Sequence, residues 1–424
     1  MSTQGGRATG AFSAVTALFF AWGFITSVVD PLVAAVKRIF ELSNVEAQLS
    51  AFAFFIAYGL VSLPAAFLVA RLRAVRSILV ALSMMAVACM VMLLASNAAA
   101  YEGVLLGLFV LASGITILQV AANPLAAALG PPERSHLRLT LAQAFNSFGT
   151  VLGPLLGASL LLRGLEPASE GAALSSSARN AALGSIDASF MIIAALIVLL
   201  GLFIWSMRAR IERAAPAGSA PRRIGATLAE AFSSGWALIG GGAIFIYVGA
   251  EVAIGTQMAL FLNDPSVWNM PIQQAGYYVS LYWFGAMVGR FIGSALLLSI
   301  PAPRLLAIAT ALAAALCLVV ATVGGVGAGY AALSIGLFNS IMFPTIFTLT
   351  LERSSASEEA TSGFLCTAIV GGAFMPLLAG AISDNYGYLA SFVLPMTCYA
   401  LLCLFAFAAG RAAPRLVAST VKPH

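Results

Sequence analysis

Again and again along this chain, twenty or more apolar residues pass with hardly a charge between them, and nothing constrains the fold more. A bilayer core is roughly 30 Å thick and takes about 20 helical residues to cross. The runs lie near 11–36, 47–69, 75–97, 102–128, 138–162, 187–207, 231–262, 273–299, 303–323, 327–351, 360–383 and 388–410. Only 9% of the 424 residues are charged, where a soluble domain carries about 25%. Lipid cannot satisfy an exposed backbone N–H or C=O, and no run alternates as a barrel strand does, so the runs predict helices. The expected fold class is an all-α polytopic membrane protein of about 12 transmembrane helices. The first ten residues are polar and the run after them is too long for a signal-peptide core, so it is expected to stay as the first helix.

The basic residues predict an orientation. With the N-terminus in the cytoplasm, sixteen of the 21 Lys and Arg fall on that side, and four (Lys37, Arg38, Arg163 and Arg179) fall outside. Arg290 lies within a span. Such a bias is the usual mark of cytoplasmic loops and predicts both termini there. The net charge of +5 therefore reflects topology and gives no reason to expect nucleic acid. Small residues, prolines and arginines across 208–230 predict a solvated cytoplasmic linker between two six-helix bundles, 1–207 and 231–424. The outer stretch 164–186, rich in Ala, Ser and Gly, is expected to be a mobile loop.

The two bundles read as copies of one another. Span four carries Gln119-Val-Ala-Ala-Asn-Pro124 and span ten Asn339-Ser-Ile-Met-Phe-Pro344, each an amide five residues before a proline, at an offset of 220. Gly153-Pro154-Leu-Leu and Met375-Pro376-Leu-Leu repeat at 222. Tyr58-Gly59 followed by Arg76 answers Phe284-Gly285 followed by Arg304. Several matches at nearly constant offset imply parallel repeats, the arrangement of the major facilitator fold, with substrate bound between the halves at mid-membrane.

Polar residues inside such a bundle are costly and so point to function. Asp30 stands in Phe19-Phe-Ala-Trp-Gly-Phe-Ile-Thr-Ser-Val-Val-Asp30-Pro31. Either the span ends near residue 28 and Asp30 is wet, or Asp30 faces a cavity as a proton carrier; apolar residues continuing to Val36 favour the cavity. Thr26 lies one turn earlier on the same face. Gln119 and Asn123 share a face of span four, and Gln143, Asn146 and Ser147 form a second patch on span five. Such amides also serve as ordinary inter-helix hydrogen bonds. Two patches beside Asp30 favour a cavity, and neutral donors and acceptors suit a polyhydroxylated solute because they replace water without adding charge. Glu251 is a second embedded acid, read as a hydrogen-bond partner for sugar hydroxyls rather than a sharer of the coupling proton. Tyr247, Tyr277, Tyr278, Tyr282 and Trp283 are candidates for stacking on a sugar ring or for core packing. Gly149, Gly153 and Gly157, and Gly285, Gly289 and Gly293, form smooth stripes for close helix packing. Arg290 is read as an anchor at the cytoplasmic end, on a carbonyl or on Glu352.

Several classes of chemistry find no support. The five cysteines (Cys89, Cys317, Cys366, Cys398 and Cys403) sit in apolar runs without CxxC spacing, and only His136 and His424 carry imidazole, so no metal site is expected. No GxxxxGK[ST] motif for ATP occurs, no Ser/His/Asp set suggests an enzyme, and no cofactor beyond a coupling proton is expected.

Phe-Phe-Ala-Trp-Gly-Phe-Ile with Asp30, Gln119-Val-Ala-Ala-Asn-Pro124, Leu139-Thr-Leu-Ala-Gln-Ala-Phe-Asn-Ser-Phe-Gly149, Tyr247-Val-Gly-Ala-Glu251, Gly289-Arg-Phe-Ile-Gly293 and Phe343-Pro-Thr-Ile-Phe347 together resemble the fucose:proton symporter family of the major facilitator superfamily. The pattern around Glu251 looks more like the glucose/galactose and N-acetylglucosamine permeases of that family. In the L-fucose permease, acids in spans one and four are implicated in binding and coupling. Asp30 matches the first, while the second position is Gln119 here. The resemblance implies proton-coupled uptake of a hexose or amino-hexose by alternating access, in a bacterial inner membrane and as a monomer. Asp30 would carry the proton, and Gln119, Asn123, Gln143, Asn146, Glu251 and Asn339 would hydrogen-bond the sugar. Uncoupled or sodium-coupled sugar transport is the nearest alternative, and proton/drug export a more distant one.

Overall fold

The computed structural model describes residues 2–129, 135–163, 165, 176–214 and 229–413. Among them helix is the only regular structure, and twelve helical segments are long and apolar enough to cross a membrane. They are span 1 (Gly10–Ile39), span 2 (Asn44–Leu72), span 3 (Ala74–Asn97), span 4 (Tyr101–Asn123), span 5 (Leu141–Leu161) and span 6 (Ser176–Ala214). Span 7 (Gly235–Asn263), span 8 (Ile272–Leu296), span 9 (Ala302–Val323), span 10 (Gly325–Arg353), span 11 (Ala360–Tyr386) and span 12 (Tyr388–Arg411) follow. The all-α, twelve-span architecture is the one expected.

One expectation fails. Residues 176–186, assigned to a mobile outer loop, are the first three turns of span 6. Their alanines are strong helix formers, and their small polar residues tolerate helix where neighbouring turns support it. The same helix continues through Ala214, so 208–214, expected to open the linker, is helical. At 39 residues it reaches about 58 Å and must project past a bilayer core. Residues 166–175 and 215–228 lie outside the described residues.

Four spans, 1, 10, 11 and 12, are built of more than one helical segment, and the breaks in spans 1 and 10 each lie near a proline. Span 1 is built of Ser2–Ser27 and Val29–Ile39, meeting at Val28. Pro31 has no N–H for the carbonyl four residues back, at Ser27, and its ring crowds that carbonyl. Ser27 bonds backward instead, its hydroxyl donating to Gly23 O at 3.0 Å and Phe24 O at 3.1 Å. Span 10 is built of Gly325–Asn339 and Met342–Arg353, and here Pro344 leaves Ser340 without its donor. Pro64, Pro154 and Pro376 sit inside helices that continue through them.

Internal contacts divide the chain into two compact units. One holds Met1–Leu42, Ile56–Pro221 and Pro271–Ser280, and the other holds Ser43–Phe55, Arg222–Met270 and Leu281–His424. In the first, span 3 packs on spans 4 and 6, and span 1 on span 5; in the second, span 9 packs on spans 10 and 12, and span 7 on span 11. The neighbour pattern is the same in both, as parallel repeats require. The start of span 2 belongs to the second unit through a cap: the Asn44 and Val45 N–H groups donate to the two Asp384 carboxylate oxygens at 2.8 and 2.9 Å.

Both glycine stripes press on an interrupted helix. A methyl on Gly153 would strike the Ser27 hydroxyl and Phe24 carbonyl at the bend of span 1. A methyl on Gly289 would strike the Leu337 carbonyl, and one on Gly293 the Ile341 side chain, at the bend of span 10. Backbones approach this closely only where no Cβ intervenes. Gly289→Ala is therefore expected to destabilise the protein by roughly 1–3 kcal/mol through overpacking, read as a lower midpoint of thermal unfolding in detergent. An unchanged midpoint would mean that span 8 does not rest on span 10 as described.

Candidate functional site

Each unit carries its own polar cluster. In the first, Asp30 lies in the opening turn of the second half of span 1 and is only 5% exposed. The helix runs on past it to Ile39, so Asp30 is not in a terminal loop. Thr26 on span 1, Tyr58 on span 2 and Gln119 on span 4 converge: Gln119 Nε2 donates to Tyr58 Oη at 3.0 Å. Thr26 comes close enough to interact with that hydroxyl without meeting hydrogen-bond geometry, and its own Oγ1 is buried and unpaired. One turn beyond Gln119, Asn123 Oδ1 is also buried without a partner. Asn146 Nδ2 donates to Phe19 O at 3.1 Å, tying span 5 to span 1, while Gln143 is half-buried and accepts from Ser147 through its backbone carbonyl at 3.1 Å.

In the second unit, Glu251 and Asn339 meet at one hydroxyl. Tyr247 Oη is 2.8 Å from Glu251 Oε1 and 3.0 Å from the Asn339 backbone carbonyl. Asn339 Nδ2 donates to Tyr282 Oη at 2.7 Å. Asn339 is fully buried, and its Oδ1 has no partner; neither has the buried hydroxyl of Tyr399. The Arg290 guanidinium is near enough for its charge to act on Glu251. Glu352, one of the partners expected for Arg290, has its Oε2 2.9 Å from Nη1 of its chain neighbour Arg353.

The structure thus joins Glu251 to Asn339 and Gln119 to a tyrosine, and gives Asn146 an inter-helix bond. Sequence reasoning missed the tyrosines as partners. Tyr58 holds the span 4 amide as Tyr282 holds the span 10 amide. The tyrosines are 224 residues apart and the amides 220, so the repeat itself held the signal. Tyr247 and Tyr282 are buried with bonded hydroxyls and act as polar partners rather than open stacking faces. Asp187 was missed too. It lies on span 6 beside the supposed loop, with Oδ1 buried and unpaired. Among the described residues no three His, Cys, Asp or Glu side chains gather as metal ligands would.

The sequence profile of the Major Facilitator Superfamily matches residues 11–365. The chain is 40% identical to a glucose/galactose transporter of Brucella abortus across 93% of each chain. It is 30% identical to the L-fucose-proton symporter of Escherichia coli, across 93% of this chain and 92% of that one. A crystal structure of FucP, a major facilitator superfamily transporter, in the outward conformation is 28% identical, with a TM-score of 0.70 over 96% of this chain and 100% of that one.

Buried tyrosine–amide pairs should be strongly coupled in energy. Tyr282→Phe leaves the Asn339 amide without its acceptor and is expected to cost roughly 1–3 kcal/mol. Asn339→Leu added to it should cost less than the sum of the two single changes. A double-mutant cycle on thermal unfolding measures this, and simple additivity would mean the pair is not formed.

Proposed function

Because the chain belongs to the major facilitator superfamily, we propose that it takes up a hexose or amino-hexose together with a proton by alternating access. It is a transporter and not an enzyme. The observation that carries the sugar reading is chemical: each unit holds an uncharged amide whose oxygen is buried and unpaired, Asn123 in one and Asn339 in the other. A polyol hydroxyl supplies the donor that such an oxygen lacks, and a lipophilic cation does not. This weighs against drug export. The relatives named for glucose/galactose and for L-fucose with a proton point the same way.

Asp30 is assigned the coupling proton, and Gln119, Asn123, Gln143, Asn146, Glu251 and Asn339 the hydrogen bonds to sugar. A neutral Asp30 is enclosed at less cost than an ionised one, because desolvation penalises the charged form. The proton then makes closure with sugar inside favourable. The bias of Lys and Arg supports a topology with both termini in the cytoplasm, and the proposed setting is a bacterial inner membrane. Sodium-coupled or uncoupled uptake stays as the second reading because of Gln119, which cannot titrate where the resemblance implies an acid.

Uptake into proteoliposomes under imposed proton and sodium gradients separates these readings; accumulation driven by sodium alone would remove proton coupling. Asp30→Asn is expected to abolish uphill accumulation while sugar exchange at zero gradient survives in part, since exchange needs no net proton movement. Full accumulation in that variant would take the coupling role from Asp30. Gln119→Ala should weaken sugar binding by roughly 1–3 kcal/mol, about five- to 150-fold in affinity, if it strands a buried partner. Unchanged affinity would make Gln119 purely structural.

A further inference from the structure

The Tyr247 hydroxyl has one hydrogen and two acceptors. Glu251 Oε1 stands 2.8 Å away and the Asn339 backbone carbonyl 3.0 Å away. If Glu251 is ionised, neither partner can donate, and one of these contacts brings two oxygens together with no hydrogen between them. Turning a side-chain amide cannot repair the count, since one acceptor is main chain and the other a carboxyl. A proton on Glu251 repairs it. The carboxyl then donates through Oε1 to Tyr247 Oη, and Tyr247 donates to the Asn339 carbonyl.

We propose that Glu251 is a second proton-binding site, distinct from Asp30, and that the Tyr247 hydroxyl reads its state and passes it to the bend of span 10. With Glu251 protonated, the chain of bonds runs from span 7 to the last residue of the first half of span 10. When the proton leaves, the carboxylate claims the Tyr247 hydrogen and the Asn339 carbonyl loses its donor. That carbonyl lies immediately before the Ser340–Ile341 turn, whose Ser340 and Ile341 side chains meet Gly289 and Gly293 of span 8. A proton thus alters the bonding of a hinge without any ring having to move.

The surroundings allow both states. From span 8, Arg290 is the charged group on this side, and the Tyr282 hydroxyl is 3.4 Å from the Glu251 backbone carbonyl. Span 12 contributes Tyr399, whose hydroxyl is buried without a hydrogen-bond partner. Span 10 contributes Glu352 and Arg353, paired with each other at its far end, and span 11 contributes Asp384, bound to the first N–H groups of span 2. At that start of span 2, Glu46 Oε2 accepts from the Ser43 N–H at 2.8 Å. In the protonated state Glu251 Oε2 remains an acceptor for a sugar hydroxyl, so the inference deepens the sugar-uptake reading and rests on it only for its role in transport.

Infrared spectra of the purified full-length protein in lipid nanodiscs test the protonation directly. Titrating an Asp30→Asn background from acid to alkaline pH should show a carboxylic C=O band that is lost as pH rises. Glu251→Gln should delete it, and Tyr247→Phe should move it to higher frequency by removing its hydrogen-bond acceptor. In proteoliposomes, Tyr247→Phe should flatten the pH dependence of uptake. A spectrum unaltered by Glu251→Gln across the titration overturns the proposal, as does a band that Tyr247→Phe leaves in place. The two readings fail separately. Loss of the band leaves sugar uptake standing, while a parent protein that accumulates no sugar leaves the infrared result standing.

Discussion

Lipid offers a buried polar group nothing to bond to, and this structure is arranged around that single shortage. Most hydroxyls inside the spans turn back on their own helix: Thr16 to Phe12 O, Ser62 to Tyr58 O, Ser113 to Phe109 O, Thr116 to Ala112 O and Thr310 to Leu306 O, at 2.5–2.9 Å. Amides have too many donors and acceptors for that local solution. They reach across to another span, as Gln119 does to Tyr58 and Asn339 to Tyr282. What is left unpaired is therefore informative. Thr26 and Asn123 in one unit, and Asn339 and Tyr399 in the other, hold buried oxygens without partners. A groups-in-waiting pattern of this kind fits a protein that binds a hydroxylated ligand and releases it, since full internal satisfaction would leave the ligand nothing to gain.

Much of this was legible in the sequence, because the strongest signal is one-dimensional. Length and lack of charge mark a span whatever it packs against, so all twelve are legible, and all but span 6 have boundaries within a few residues of those expected. Span 6 shows where that signal stops. Hydropathy says where lipid ends but not where helix ends, and the alanines of 176–186 and the arginines of 208–214 prolong the helix beyond any apolar run. The repeats were legible as spacing, and the neighbour pattern of the two units follows them.

The candidate site was legible as a list of residues and not as a set of bonds. Glu251 and Asn339 were picked out separately, each as a polar residue out of place. That they share a hydroxyl depends on how spans 7 and 10 face one another, which periodicity does not encode. Tyrosine hid the link. Its ring counts as apolar in any hydropathy scale, and its hydroxyl counts for nothing until a partner is seen.

Tyrosine is also the residue best suited to the position it fills. Lysine or arginine between Glu251 and Asn339 would lock the carboxyl as an ion. Phenylalanine would leave both oxygens stranded. A tyrosine hydroxyl is neutral, donates once and accepts at the same atom, and rotates about its C–O bond without disturbing the packed ring. It can therefore sit in a close-packed interior, which resists moving atoms by even a methyl's width, and still change whom it serves. In a protein whose backbone bends at Ser340–Ile341 and whose neighbouring helix is smoothed by glycine, a switch of one hydrogen is enough to bias that bend. The same economy accounts for Tyr58 and Tyr282. Each pins an amide's N–H end without introducing charge, and at Asn339 it leaves the carbonyl end for whatever donor arrives.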